Sequence, residues 1–355
     1  MASAAGWPAL TAALIRGDTL SSDEAAWAMN EIMDGAASPV QIAGFGVALR
    51  MKGETVSEVT GLAEAMLAHA TPISIPGPVT DLVGTGGDGA HTVNISTMGA
   101  IVAAAAGVRI AKHGNRAASS SCGAADVLEA LGVVIDLPPQ ASARLAEQVG
   151  ITFLFAPLYH PALRHAASAR SQLGVATVFN SLGPVTNPAR PQAQAVGIAD
   201  PRMGEVIAGV LAHRGTSALV FHADDGLDEL TTTGPATVWV VHGSAVEETS
   251  LDPAALGFGR ARLEDLRGGD PAHNSAAARA VLAGEPGPIR DTVILNAAAA
   301  LAASAGVPGP DGLVKALADG CAAARAALDS GAAADLLRRW AEASRQAAAG
   351  QPSSG

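Results

Sequence analysis

Aromatic side chains are scarce, 3% of 355 residues, and alanine rather than large apolar groups carries much of the 49% hydrophobic share. Alanine gains little from burial and suits closely packed helices, so this hydrophobicity calls for no membrane. The longest apolar candidate, Met98 to Val108, falls far short of the roughly 20 residues that span a bilayer and ends at Arg109. Cysteine is nearly absent: Cys122 and Cys321 offer neither a metal-ligand spacing nor a disulfide framework. Positive charge is short too. With 22 Lys+Arg against 33 Asp+Glu, the formal net charge of −11 leaves no broad positive field for a nucleic-acid backbone or an anionic bilayer. The first basic residue is Arg16, and Gly6, Pro8 and Asp18 interrupt the stretch around it, unlike a signal peptide. The expectation is a cytoplasmic protein with reduced thiols and no membrane or nucleic-acid partner.

The length allows about two domains. The first 70 residues read as helices: Ser38-Pro39 supplies an N-cap followed by proline at the first helical position, Gly53 lies just past Lys52, and Ser57 opens the next helix. Three prolines and a glycine between Thr71 and Pro78 predict an extended connection and a domain boundary, with a helical domain over 1–72 and an α/β domain over 79–345. Past that boundary, short apolar runs alternate with helical stretches: Val79–Val83, Val108–Ala111, Val133–Ile135, Ile151–Phe155, Ala195–Ile198, Ala218–Phe221 and Val238–Val241. Such alternation predicts a mostly parallel sheet covered by helices, with ligands bound at the carboxyl ends of its strands. Ala-rich helices return from Asp270, and residues 346–355 are small and polar enough to predict a fraying tail.

The glycines and polar residues gather where that sheet would bind ligands. Gly84-Thr85-Gly86-Gly87-Asp88-Gly89 leaves an apolar run, and Asn94-Ile95-Ser96-Thr97 opens a helix, with Asn94 and Ser96 as candidate caps. A glycine turn feeding a helix N-terminus suits phosphate or pyrophosphate, although Asp88 stands where the dinucleotide and P-loop patterns would break. An ordinary glycine turn is the plainer reading. The next run leads into Lys112 to Gly123, where Lys112 and Arg116 bring cationic donors, Asn115 a donor and an acceptor, and Ser119 to Ser121 three hydroxyls. Cys122 beside a helix start has the position of a thiol with lowered pKa but needs no role. Asp228-Glu229 follows another apolar run, and adjacent carboxylates suit magnesium, which takes hard oxygen ligands and keeps several waters; a solvated acidic turn is the alternative. Arg164 and Arg170, six apart, do not share a helix face, so one is structural and the other free to read a carboxylate; their spacing leaves open which. His160 and His165 lack the i, i+4 spacing of a zinc helix, and no nucleophilic triad is legible.

Taken together, GTGGDG (84–89), NIST (94–97), KHGNR (112–116), GAADVLEALG (123–132), FAPLYHPALRHA (155–166), FNSLGPVTNP (179–188) and GLDEL (226–230) resemble the anthranilate phosphoribosyltransferases of tryptophan biosynthesis over nearly the whole chain. The resemblance implies a small all-helical domain, completed by a helical insertion near 160–180, hinged to a larger α/β domain with a central mostly parallel sheet, and a homodimer. It implies that phosphoribosyl pyrophosphate binds at Gly84, Gly87, Asp88, Thr92, Asn94, Ile95, Ser96, Thr97, Lys112, His113, Gly114, Asn115, Arg116, Ala117, Ala118, Ser119, Ser120 and Ala124. It further implies anthranilate near Gly84, Asn115 and Arg170 with His113 close by, and Mg²⁺, as two ions, on Ser96, Asp228 and Glu229. Val185, Leu163 and Ala124 depart from the family pattern without removing a charged or metal-binding group. A pyrimidine-nucleoside phosphorylase shares the architecture but needs neither the pyrophosphate loop nor the metal pair, and a nucleic-acid-binding relative fits poorly with a charge of −11.

Overall fold

The computed structural model describes residues 6–117 and 121–350. Four helices come first: α1 (Trp7–Ile15), α2 (Ser22–Met33), α3 (Pro39–Lys52) and α4 (Val56–Ala68). Each of α2, α3 and α4 starts on a capping box, with Ser21, Ser38 and Thr55 accepting from the third helical N–H while Glu24, Gln41 and Glu58 reach back. The α4 cap is therefore Thr55, two residues before the predicted Ser57. Gly61 lets α4 approach α2, because a Cβ there would stand 2.1 Å from the Ser22 carbonyl oxygen.

The extended segment after α4 leads to β1 (Thr80–Gly84), α5 (Ile95–Ala105), β2 (Ile110–Gly114), α6 (Ala124–Ala130), α7 (Pro139–Gln148) and β3 (Ile151–Phe155). Next come α8 (Ala156–Tyr159), α9 (Arg164–Leu173), α10 (Val178–Ser181), β4 (Ala193–Gly197), α11 (Gly204–His213), β5 (Ser217–Ala223), β6 (Ala236–His242) and β7 (Ala245–Leu251). Four helices close the described chain: α12 (Pro271–Leu282), α13 (Pro288–Ala305), α14 (Pro310–Asp329) and α15 (Ala332–Ala349). Residues 346–349, expected to fray, continue α15. Among the described residues no single helix is long and apolar enough to cross a membrane.

The strands form one sheet in the order β3-β2-β1-β4-β5-β6-β7, parallel from β3 through β5 and antiparallel from β5 to β7. One expected strand is missing and one unexpected strand is present. Val133–Ile135 forms no strand, since it follows directly on α6 and leads into α7. The edge strand β7 lies in a stretch whose outward residues Glu247 and Glu248 hide it from a search for apolar runs.

Each sheet face has its own core. On one, α5, α13 and α14 cover Leu82, Ile110, Leu219, Phe221, Val238 and Val240. On the other, Val83, Val196, Val220, Trp239 and Val241 pack with α11, and the same cluster continues into α1 to α4, α9 and α10. Gly209 on α11 admits α4 closely: a Cβ there would lie 2.6 Å from a Val56 methyl.

Candidate active site

The chain runs β1, β2, β3 to one side and returns to place β4 on the other side of β1, so the strand order reverses between β1 and β4. Ligands in open α/β sheets bind at such a point, beyond the carboxyl ends of the strands. Here both strands end on glycine, Gly84 paired with Gly197. The reason is Asp228: a Cβ on Gly84 would lie 2.1 Å from its Oδ2, and one on Gly197 would lie 1.6 Å from its carbonyl oxygen. The segment carrying Asp228 and Glu229 is thus seated directly on the strand ends. No motif in the sequence marks Gly197.

The glycine turn wraps this seat. Gly86, Gly87 and Gly89 have φ of 68°, 88° and 70°, the left-handed region that glycine enters without strain. The Gly86 N–H donates to Asp228 Oδ2 at 2.6 Å, and the Ser96 N–H, in the first turn of α5, donates to Glu229 Oε1 at 3.1 Å. Thr92 is pinned by a bridge to Arg267, Ile95 and Thr97 are buried, and Asp88 accepts from the Ala90 N–H at 3.1 Å. Asn94 makes no cap. Its side chain donates to the Cys122 carbonyl at 3.0 Å and accepts from Asn274 at 2.9 Å, tying α12 to the neighbouring loop.

Asp228 and Glu229 are each 8% exposed. Burial and the nearby Asp88 push Asp228 up to about 7, and burial and Asp228 push Glu229 well above the usual carboxylate range. Two buried carboxylates, one accepting from the Gly86 N–H and the other from the Ser96 N–H and both with further lone pairs, stand beside the Ser96 hydroxyl as the hard-oxygen set that a divalent cation takes. Among the described residues no group of three or more His, Cys, Asp or Glu gathers to hold a metal, so water and substrate oxygens would complete the coordination shell here.

The two expected phosphate cations stand differently. Lys112 is buried, and its Nζ donates to the Leu82 carbonyl at 2.5 Å and to Ser96 Oγ at 3.2 Å, beneath the site rather than in its loop. β2 carries it inward because its neighbours in sequence alternate faces. Arg116 is exposed but committed, its guanidinium on Asp126 at 2.9 Å and Glu129 at 2.5 Å. Asp126 also accepts from the Ala117 and Gly123 N–H groups, closing the loop onto α6, of which Ala124 is the first residue. The spacing of Gly123 and Asp126 is that of a capping box, the one signal in the sequence that could have marked it. Ala118, Ser119 and Ser120 lie outside the described residues. Burial pushes the Cys122 thiol up to about 11, the opposite of an activated nucleophile.

Gly114 and Asn115 leave β2 at the mouth of the site, Asn115 exposed with its Oδ1 accepting from the Arg116 N–H at 2.7 Å. His113, 4% exposed, donates to the Gly183 carbonyl, and burial together with His160 lowers it to about 3, so the ring is neutral. Arg164 is exposed and bonded to the Pro161 carbonyl. Arg170 instead lies half-buried with its guanidinium 5.8 Å from the centre of the Phe179 ring and no carboxylate within ion-pair distance among the described residues.

Known proteins match this chain along its length. The descriptions "Glycosyl transferase family, helical bundle domain" and "Glycosyl transferase family, a/b domain" match residues 8–70 and 76–334. An anthranilate phosphoribosyltransferase of a Nocardioides species is 58% identical over 94% of this chain and 97% of its own, and that of Thermobifida fusca is 58% identical over 96% and 97%. The crystal structure of anthranilate phosphoribosyltransferase (TrpD) from Thermus thermophilus superposes with a TM-score of 0.88 at 43% identity, covering 95% of this chain and 99% of that one. The Saccharomyces cerevisiae enzyme, solved in complex with PRPP and Mg, gives 0.85 at 26% identity over 97% and 99%. With relatives 58% identical over nearly the whole of both chains and the helical-bundle and a/b descriptions matched in succession, this protein belongs to the anthranilate phosphoribosyltransferase family.

Proposed function

We propose that the chain transfers the phosphoribosyl group of 5-phosphoribosyl 1-pyrophosphate to the amine of anthranilate, giving N-(5-phosphoribosyl)anthranilate and pyrophosphate, a step of tryptophan biosynthesis. The observation that carries it is the seat of Asp228 on the paired glycines Gly84 and Gly197, with Glu229 and Ser96 alongside and the glycine turn above. Ser96, Asp228 and Glu229 are the groups to hold Mg²⁺, as two ions, which would supply positive charge to the departing pyrophosphate. The chain's own part is positioning. The glycine turn and the N-terminus of α5 present backbone N–H groups to phosphate oxygens. Arg170, over the Phe179 ring and with no carboxylate partner among the described residues, offers its fork to the anthranilate carboxylate, with Gly84, Asn115 and neutral His113 as the other groups of the acceptor site. The bond from the anomeric carbon to pyrophosphate breaks, a carbon–nitrogen bond to the amine forms, and one amine proton leaves to solvent. No strong protein base is needed, so orientation and exclusion of water supply the acceleration.

The packing of α9 and α10 on α3 supports reading the helical bundle and these two helices as the small domain of the molecule. A second copy of the chain is the expected partner. Val40, Val47 and Met51 form an exposed apolar stripe along α3, and Ile15 at the end of α1 is exposed as well. The cytoplasm is the expected compartment for a biosynthetic enzyme with so few cysteines.

Loss of anthranilate fluorescence on mixing with phosphoribosyl pyrophosphate and Mg²⁺ tests the reaction. The signal should fall in the parent chain, persist with EDTA, and fall at least about 100-fold more slowly in Asp228→Asn/Glu229→Gln. Equal rates with and without the carboxylates would remove them from the site.

A further inference from the structure

Main-chain carbonyls are ordinarily taken up by helices, ladders and water. Between α10 and β4, four in succession are each taken by a side chain from a different part of the chain. Gly183 O accepts from His113 Nδ1 on β2 at 3.3 Å, Pro184 O from Gln194 Nε2 on β4 at 2.8 Å, Val185 O from Arg214 Nη1 after α11 at 2.6 Å, and Thr186 O from His160 Nε2 after α8 at 2.8 Å. Asn187 completes the series, its Nδ2 donating to Asp81 Oδ2 and to the Ala111 carbonyl, both at 2.8 Å. His113, Gln194, His160, Asn187 and Asp81 are all less than 5% exposed. Because a carbonyl only accepts, the two imidazoles must carry their protons on the nitrogens named. Arg214 turns its other edge to Glu64 on α4, with Nε at 2.8 Å and Nη2 at 2.7 Å, so the clamp also reaches the helical bundle.

The clamped segment joins two parts of the site. Before it stands Phe179, under the Arg170 guanidinium; after it β4 runs to Gly197, against Asp228. We propose that residues 182–187 are a rigid strut, gripped through their carbonyls, that sets the position of Arg170 and Phe179 relative to the glycine turn. Gln194, Arg214 and His160 are then positioning residues for the acceptor, acting through the carbonyls they hold. The inference rests on the transfer reaction proposed above: a displacement between two bound molecules loses about 100-fold for a misplacement near 1 Å, so the acceptor's holder needs a fixed base. The four donors come from separate elements and Leu182 and Val185 stay packed in the core beside α11, so loss of one donor slackens the strut without releasing it.

The test compares the full-length parent with Gln194→Met, His160→Leu and His160→Gln, the last of which places an amide nitrogen near the position of the imidazole Nε2. Gln194→Met and His160→Leu should lower kcat/KM for anthranilate about tenfold, in the manner of Arg170→Ala, while the dissociation constant of phosphoribosyl pyrophosphate with Mg²⁺, read by calorimetry, stays within about twofold. His160→Gln should recover most of the loss. Donor affinity falling in step with anthranilate use, a glutamine no better than leucine, or unchanged constants throughout would each overturn the proposal. Should Gln194→Met and His160→Leu not fold by circular dichroism, Arg214→Gln, whose side chain is at the rim with 18% exposure, faces the same criteria. If the parent itself consumes no anthranilate, the transferase reading falls; the strut is then decided by amide hydrogen exchange over 182–187, which must quicken in His160→Leu and not in His160→Gln.

Discussion

At the scale of single residues, the site depends on two side chains that are missing. Gly84 and Gly197 leave the space that Asp228 fills, and alanine at either would collide with a carboxylate or a backbone that has nowhere to retreat. Gly84→Ala is expected to cut kcat/KM by about 100-fold or more while costing only about 1–3 kcal/mol of stability, the usual range for overpacking. Kinetics and a thermal melt on the same sample check both halves. Gly84, Asp228, Glu229 and Ser96 stand out in the sequence as a glycine turn, adjacent carboxylates and a helix start, which are local patterns, but a common role for them came from the resemblance of the motifs taken together. Gly197 does not stand out: its role exists only once β4 lies beside β1. The same limit governs the two cations. Lys112 and Arg116 read alike in the sequence, but in the fold Lys112 donates to the Leu82 carbonyl and the Ser96 hydroxyl while Arg116 lies on the carboxylates of Asp126 and Glu129.

At the scale of elements, the parallel half of the sheet follows from apolar runs between helices, and the antiparallel edge does not. β6 and β7 form a hairpin around Gly243 and Ser244, and β7 carries its charges outward, as an edge strand does to discourage further pairing. α3 makes the opposite choice. It buries Ile42, Phe45 and Leu49 against the bundle and still presents Val40 and Met51 to solvent, at 82% and 81% exposure. A helix with a second apolar face needs a second surface to cover it. Light scattering should report a dimer for the parent and a monomer for Met51→Glu with an unchanged circular dichroism spectrum; a dimer that survives the charge would move the interface elsewhere.

At the scale of the whole molecule, buried charge sets a pH limit. Burial raises Asp81 to about 6 against the pull of Lys112 and Asn187, from an ordinary value of 3.8. The folded chain therefore holds a proton there that the unfolded chain has lost. The stability this contributes is complete below about pH 4 and disappears as pH rises through about 6, on the order of 2–3 kcal/mol in all. The melting temperature should drop between pH 5 and pH 8, and the drop should be smaller in Asp81→Asn; equal drops in the two chains would assign the effect to other groups.

The seam between the matched family descriptions, near residue 70, is not a seam in the packing. Met29, Phe45 and Leu62 share one continuous apolar cluster with Ile207 and Leu211 of α11 and with Val220 and Trp239 of the sheet. A fragment begun at residue 79 would turn the α4-facing side of α11, glycine notch and all, out to water, and would tend to clump rather than stand alone as a domain. Evolutionary exchange of the bundle for another would then need matching changes along α11. The two parts are described separately but must be replaced as one.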